Sequence, residues 1–102
     1  MVETARRYDF RYGTILANAP RESGIYALFL DEQLLYIGDA DNMLVGLMDR
    51  LDRPDLIAPG VVPTSFAFET CIPEHRRVRL FGLIFKHNPT YVDYPELKLR
   101  ED

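Results

Sequence analysis

Along residues 24 to 30, GIYALFL, no position is polar: Tyr26, Leu28 and Leu30 fall on one face of an extended chain and Ile25, Ala27 and Phe29 on the other. A strand apolar on both faces is covered on both sides, which predicts a central strand. DEQ then turns the chain and LLYIG returns as a second strand. So short a link makes an antiparallel hairpin the simplest geometry. After Gly38 the period changes. Leu44, Leu47, Met48 and Leu51 recur at i, i+3, i+4 and i+7, the pattern of an amphipathic helix, with Asp41 as its predicted N-cap. Pro54, Pro59, Gly60 and Pro63 make residues 52 to 64 a loop, whose apolar LIAPGVV stretch would be unusual if left exposed. SFAFETC predicts a third strand. A second helix, PEHRRVRLFGLIFKH, opens on Pro73 and Glu74 and closes on Lys86 and His87, as the helix dipole favours, before Asn88-Pro89 ends it. Residues 1 to 19 fit a helical turn or an irregular lead-in equally well. The expected organisation is a lead-in over 1–19, one domain over 20–92 and a polar tail over 93–102.

Composition agrees with a single folded unit. At 102 residues one domain is the default, and a chain of this size hides roughly 65% of its unfolded surface. Apolar residues make up 47% and aromatics 12%, which excludes a disordered chain. The formal charge of −4 and pI near 5.1 give no overall attraction to nucleic acid, so any such contact needs a local basic patch. Cys71 is the only cysteine, which rules out an internal disulfide and suits a reducing compartment. MVETARRYDF has no apolar run behind its charges and so is not a secretory signal, and no stretch approaches the ~20 apolar residues that span a bilayer. These features predict a small soluble cytoplasmic domain with no membrane association.

Gly24-Ile25-Tyr26 on the first strand and Tyr36-Ile37-Gly38 on the second are separated by nine residues. With the order strand-turn-strand-helix-loop-strand-helix, this pairing resembles the GIY-YIG nuclease family over roughly residues 20 to 92. Pro20 ahead of GIY, Asn42 four residues after Gly38, Leu83-Ile84 and Pro89-Thr90-Tyr91 also look like that family. The resemblance implies an α+β fold, a small antiparallel three-stranded sheet flanked by helices, and cleavage of phosphodiesters with one divalent cation. It casts Tyr26 and Tyr36 as active-site phenols, one of them helping to take a proton from the attacking water. It also expects an arginine on the helix after YIG to hold the phosphate and a glutamate on the later helix to bind the metal. A phosphorane gathers negative charge and wants a forked guanidinium and a cation, and water is a poor nucleophile until a metal lowers its pKa.

Here the sequence departs from the pattern. The arginine position, eight after Gly38, is Gly46, the glutamate position is Leu80, and the asparagine often found after P-x-Y is Val92. Gly46 is also anomalous as a helix residue, since glycine in a helix interior costs ~1 kcal/mol relative to alanine. Arg50 lies one turn further on the same face, ~6 Å along the axis; it is either a solvated helix-end cation or a guanidinium that reaches back to the phosphate position. Glu69, Glu74, Asp39 and Asp41 are the acids available for a displaced metal site, and such acids are equally common without that role, so no metal site is expected. Gly38 either permits a tight strand-to-helix turn or lets the backbone approach a phosphate.

Ten of the twelve basic residues are arginine, and Arg76, Arg77 and Arg79 cluster at one helix start. Their planar forks suit a nucleic-acid backbone or an acidic protein surface; a solvated helix face is the alternative. His75 and His87 are twelve apart, not a metal pair at i, i+4, and Cys71 reads as a strand-end residue rather than a nucleophile. The leading expectation is a nuclease fold without nuclease chemistry, binding a protein partner and needing no cofactor. An active Mg²⁺- or Mn²⁺-dependent DNA endonuclease with displaced residues is the alternative, and nucleic-acid binding without cleavage a third class.

Overall fold

The computed structural model describes Val2, residues 5–53 and residues 60–91. Four strands and three helices follow in the order β1 (Tyr8–Asp9), α1 (Tyr12–Asn18), β2 (Gly24–Leu30), β3 (Gln33–Ala40), α2 (Met43–Asp52), β4 (Ser65–Thr70) and α3 (Pro73–His87). The sheet is antiparallel throughout, in the order β1-β4-β2-β3. GIYALFL is a central strand as its pattern predicts, paired on one side with β3 and on the other with β4. The turn is tighter than DEQ: Asp31, at φ +51°, and Glu32 form it, while Gln33 already pairs with Leu30. The expected three-stranded sheet gains a fourth, β1, whose two residues pair with Phe66 and Ser65 of β4.

Period two sorts the strand residues into two cores. On one face Tyr26, Leu28, Tyr36 and Phe66 pack with Ile15 of α1 and Leu44 and Leu47 of α2. On the other, Ile25, Ala27, Phe29, Ile37 and Ala67 pack with Leu80, Leu83 and Ile84 of α3, and Val2 joins them. The sheet is thus sandwiched between helices, and among the described helices α3 packs on the second face, joined there by Val2.

Asp41 is not the cap of α2. Asn42 takes that place, its Oδ1 accepting from the Val45 N–H at 3.2 Å, and the carbonyls of Glu22 and Pro20 accept from the N–H groups of Met43 and Leu44. The Asp41 carboxylate is committed elsewhere, to Arg76. α3 begins at Pro73 and ends on Asn88 in the left-handed region (φ +44°), directly before Pro89. Beyond it Tyr91 bridges in parallel to Tyr36, and its N–H donates to the Leu35 carbonyl at 2.8 Å. The expectations for Pro54, Pro59, most of the LIAPGVV stretch, Val92 and the 93–102 tail lie outside the described residues. Among the described residues no helix is long and apolar enough to cross a membrane.

Candidate functional site

The register Tyr26↔Gly38 and Leu28↔Tyr36 places both phenols on the same face of adjacent strands. Their rings meet edge to face with centroids 6.0 Å apart, and both are almost wholly buried, at 2% and 1% exposed. Gly38 makes this possible. A side chain there would begin 2.6 Å from the Tyr36 ring and 2.8 Å from the Tyr26 hydroxyl, distances at which a carbon atom cannot sit. Gly38 lies inside β3 and not in the strand-to-helix turn, so its role is to leave room for the phenols. The glycine of YIG is legible as a packing residue once the strand register is known.

Arg50, in the last turn of α2, closes the cluster. Its Nε donates to the Tyr26 hydroxyl at 3.2 Å and its Nη2 to the Tyr36 hydroxyl at 2.8 Å. Its guanidinium carbon lies 5.0 Å from the centre of the Tyr36 ring, within cation–π range. The fork thus bridges both hydroxyls from a half-buried position at the helix end. Gly46 also finds its reason. A Cβ at this position would stand 2.8 Å from the Cβ of Ala40, so α2 rests on β3 at a separation that admits no side chain. The arginine that the resemblance expects there is excluded by packing. Chemically, a guanidinium beside two hydroxyls is a donor set suited to an anion and repels a cation.

Leu80 is 1% exposed and packs with Ile25, Ala27 and Ile37 on the opposite side of the sheet from the phenol rings. It offers no ligand atom. Glu69, the acid that precedes that helix, is already engaged, whereas Glu74 in its first turn is exposed. Glu69 accepts two hydrogen bonds from Arg79, Nε to Oε2 and Nη2 to Oε1, both at 3.0 Å, and its Oε1 accepts the Val2 N–H at 2.7 Å. Burial works against ionisation of Glu69, but the Arg79 fork, the Val2 N–H and the charges of Arg79 and the amino terminus outweigh it and hold its carboxyl below the usual range. Among the described residues no group of three His, Cys, Asp or Glu could hold a metal ion. At the phenols the described side chains present a guanidinium and two hydroxyls, and no step is routed through a divalent ion.

The three arginines at the start of α3 do not form one free basic patch. Arg76, its side chain 14% exposed, donates through Nε to Asp39 at 2.9 Å and through Nη1 to Asp41 at 2.6 Å and to the Ser23 hydroxyl at 3.0 Å. Arg77 lies 3.1 Å from the same Asp39 carboxylate, and Arg79 holds Glu69. The sequence offered Asp39 and Asp41 as acids for a displaced metal site and did not show them as partners of α3. Strand parity carries the signal for Asp39: Tyr36 and Gly38 face α2, so Ile37 and Asp39 face α3. Cys71, just past β4, is half-buried, its N–H donating to the Ser23 carbonyl.

No protein-family model matches the sequence, and no curated protein matches it. Solved structures do match the fold. The GIY-YIG N-terminal endonuclease domain of UvrC from Thermotoga maritima, bound to its catalytic magnesium, is similar with a TM-score of 0.66 at 20% identity, over 78% of this chain and 93% of that one. An asparagine-to-alanine variant of that domain gives 0.66 at 18% identity, over 87% and 96%. A tyrosine-to-phenylalanine variant gives 0.65 at 20% identity, over 86% and 93%. At such identities the likeness establishes architecture. The chain has the GIY-YIG endonuclease-domain fold, and what it does with that fold has to be argued from its own side chains.

Proposed function

We propose that this chain is a GIY-YIG-fold domain that does not cleave phosphodiesters and holds a protein partner. The observation that carries the reading is Leu80. The residue at the position assigned to the metal-binding glutamate is an aliphatic side chain sealed in the α3 core, and the nearby Glu69 is neutralised by the Arg79 fork. Gly46 adds to it, because the close contact with Ala40 excludes the phosphate-holding arginine from its expected place. Without a cation, water near the phenols keeps its ordinary reluctance to attack. Losing one charge-stabilising donor alone typically costs about 10²–10³ in rate. A protein partner is favoured over nucleic acid because the chain carries a net −4 and Asp39, Asp41 and Glu69 already balance the arginines of α3. The lone cysteine suits work in the reducing cytoplasm.

The test is incubation with plasmid, branched and single-stranded DNA in Mg²⁺ or Mn²⁺. No turnover above background is expected. Robust cleavage that disappears in Tyr26→Phe overturns the proposal. Salt-sensitive DNA binding lost with Arg76→Ala and Arg77→Ala, without cleavage, moves the function to nucleic-acid binding.

One feature favours a second reading, an active metal-dependent endonuclease acting on DNA in repair or defence. Arg50 reaches both phenol hydroxyls, which is where a migrated phosphate clamp would sit. That reading requires Arg50→Ala to abolish cleavage and Mg²⁺ or Mn²⁺ to shift NMR resonances of a carboxylate in the chain.

A further inference from the structure

The face of the sheet that carries α3 also holds a cavity of about 200 Å³, at the end nearer the β2–β3 turn. Among the described residues Val2, Ala27, Phe29, Leu34 and Ile37 line it with hydrocarbon, and all but Leu34 are buried. The strands explain the hollow. Ala27 lies between Ile25 and Phe29 on this face and pairs with Ala67 of β4, so two small side chains stand side by side on the sheet. A volume below the ~300–1,000 Å³ of pockets that take drug-sized ligands suits a small molecule. The rest of the lining is polar: Arg7, Glu32 and His87. The guanidinium carbon of Arg7 lies 3.9 Å from the centre of the Phe29 ring, a cation–π contact that keeps the fork over the cavity wall. Its Nη1 donates to the Asp31 carbonyl and to Glu32 Oε2, both at 3.5 Å, at the outer limit of a hydrogen bond. With side chains 40% and 96% exposed, this ion pair adds little to the fold.

We propose that this cavity binds a free apolar α-amino acid. Its side chain enters among Ala27, Phe29 and Ile37, its carboxylate takes the Arg7 fork and its ammonium meets Glu32. The charges select this class. An α-amino acid carries its two opposite charges on one carbon, and the cavity presents the complementary pair 3.5 Å apart. An apolar acid without an amine would meet the Glu32 carboxylate as a like charge, and an apolar amine would meet Arg7 in the same way. A carboxylate also offers the guanidinium two oxygens at once, where the Glu32 contact engages one nitrogen at long range. The hydrocarbon walls give a polar side chain no partner, so the amino acid must be apolar. Arg7 and Glu32 both sit on exposed ground, which leaves the entrance open to solvent. The cavity lies across the sheet from the phenol rings, and this inference does not rest on the function proposed for them.

Amide NMR titration of the full chain with L-leucine, L-isoleucine and L-phenylalanine reads the site directly. At least one of the three should give saturable shifts centred on Ala27, Phe29 and Ile37. The deaminated acid and the decarboxylated amine of the amino acid that binds (for leucine, isocaproate and isoamylamine) should each bind about tenfold or more weaker, since each forfeits a charged hydrogen bond. Arg7→Gln should weaken the amino acid by a similar factor, while Arg11→Gln, exposed and paired with Asp9, leaves it unchanged. Glu32→Gln should weaken the amino acid and tighten the deaminated acid, opposite signs that a merely structural role for Glu32 would not give. Both glutamine variants replace exposed side chains, so the fold survives them and the shifts remain readable. No saturable shift with any of the three amino acids overturns the proposal. So do shifts centred elsewhere, or a Glu32→Gln chain that binds amino acid and deaminated acid as the parent does.

Discussion

Gly46→Ala sets two effects of known size against each other. In an ordinary helix interior the substitution gains about 1 kcal/mol from propensity. Here the new methyl would stand 2.8 Å from the Cβ of Ala40, whereas carbon atoms rest at about 3.5–4.0 Å. Ala40 cannot swing aside, because its Cβ is fixed to the backbone of β3. Helix α2 must lift instead, and it carries Met43, Leu44 and Leu47, all buried. Overpacking of this kind costs about 1–3 kcal/mol, so the net expectation is a loss of about 0–2 kcal/mol. Pairing Gly46→Ala with Ala40→Gly removes the collision and keeps the propensity gain. A double-mutant cycle by urea unfolding should return a coupling of about 1–3 kcal/mol in favour of the pair. Gly46→Arg, which restores the residue expected of a nuclease, should destabilise further and produce no cleavage. If Gly46→Ala alone stabilises by the full propensity gain and the cycle shows no coupling, the packing account of Gly46 is wrong.

The two arginines that share Asp39 should differ in weight. Arg76→Ala breaks a pair in which both side chains are nearly buried, 14% and 13% exposed, and should cost about 2–3 kcal/mol by chemical unfolding; Arg77→Ala, at 55% exposed, should cost under about 1 kcal/mol, and equal losses would refute the assignment. Glu69 sets an acid limb on stability. Its folded pKa lies below the 4.5 of a free carboxyl, so its contribution is present above about that pH and is lost as pH falls through the folded value. Melting temperatures measured downward from neutral pH should therefore fall more gently below pH 4.5 for Glu69→Gln than for the parent chain.

Much of this architecture could be read from pattern alone, because β2, β3 and α3 each keep one period over a long enough run. GIYALFL reads as a covered strand, and Pro73, Asn88 and Pro89 mark the ends of α3. The pieces that escaped are short or depend on distant partners. β1 has two residues and α1 seven with Ile15 its only buried residue, too little for a periodic signal. Asp41, the cap expected from sequence, is drawn to Arg76, 35 positions away, and Asn42 caps the helix in its place. The site divides the same way. The twin tyrosines are visible as a motif, but the bridging of both by Arg50 needs the crossing of α2 over the sheet, and the commitment of Arg79 to Glu69 needs the docking of α3.

The bond from Tyr91 to Leu35 has a consequence for how this molecule meets others. An open sheet margin invites a foreign strand to add to it, the route to runaway polymerisation as well as to peptide capture. At one margin the two residues of Tyr8–Asp9 pair with Phe66 and Ser65 alone, so Ala67–Thr70 of β4 pair with β2 only among the described residues. At the other, a strand approaching β3 must first evict Tyr91 and withdraw Pro89 from the interior where it is sealed. Backbone zippering is therefore obstructed on the β3 flank, where Tyr91 sits, and has its clearer opening along β4.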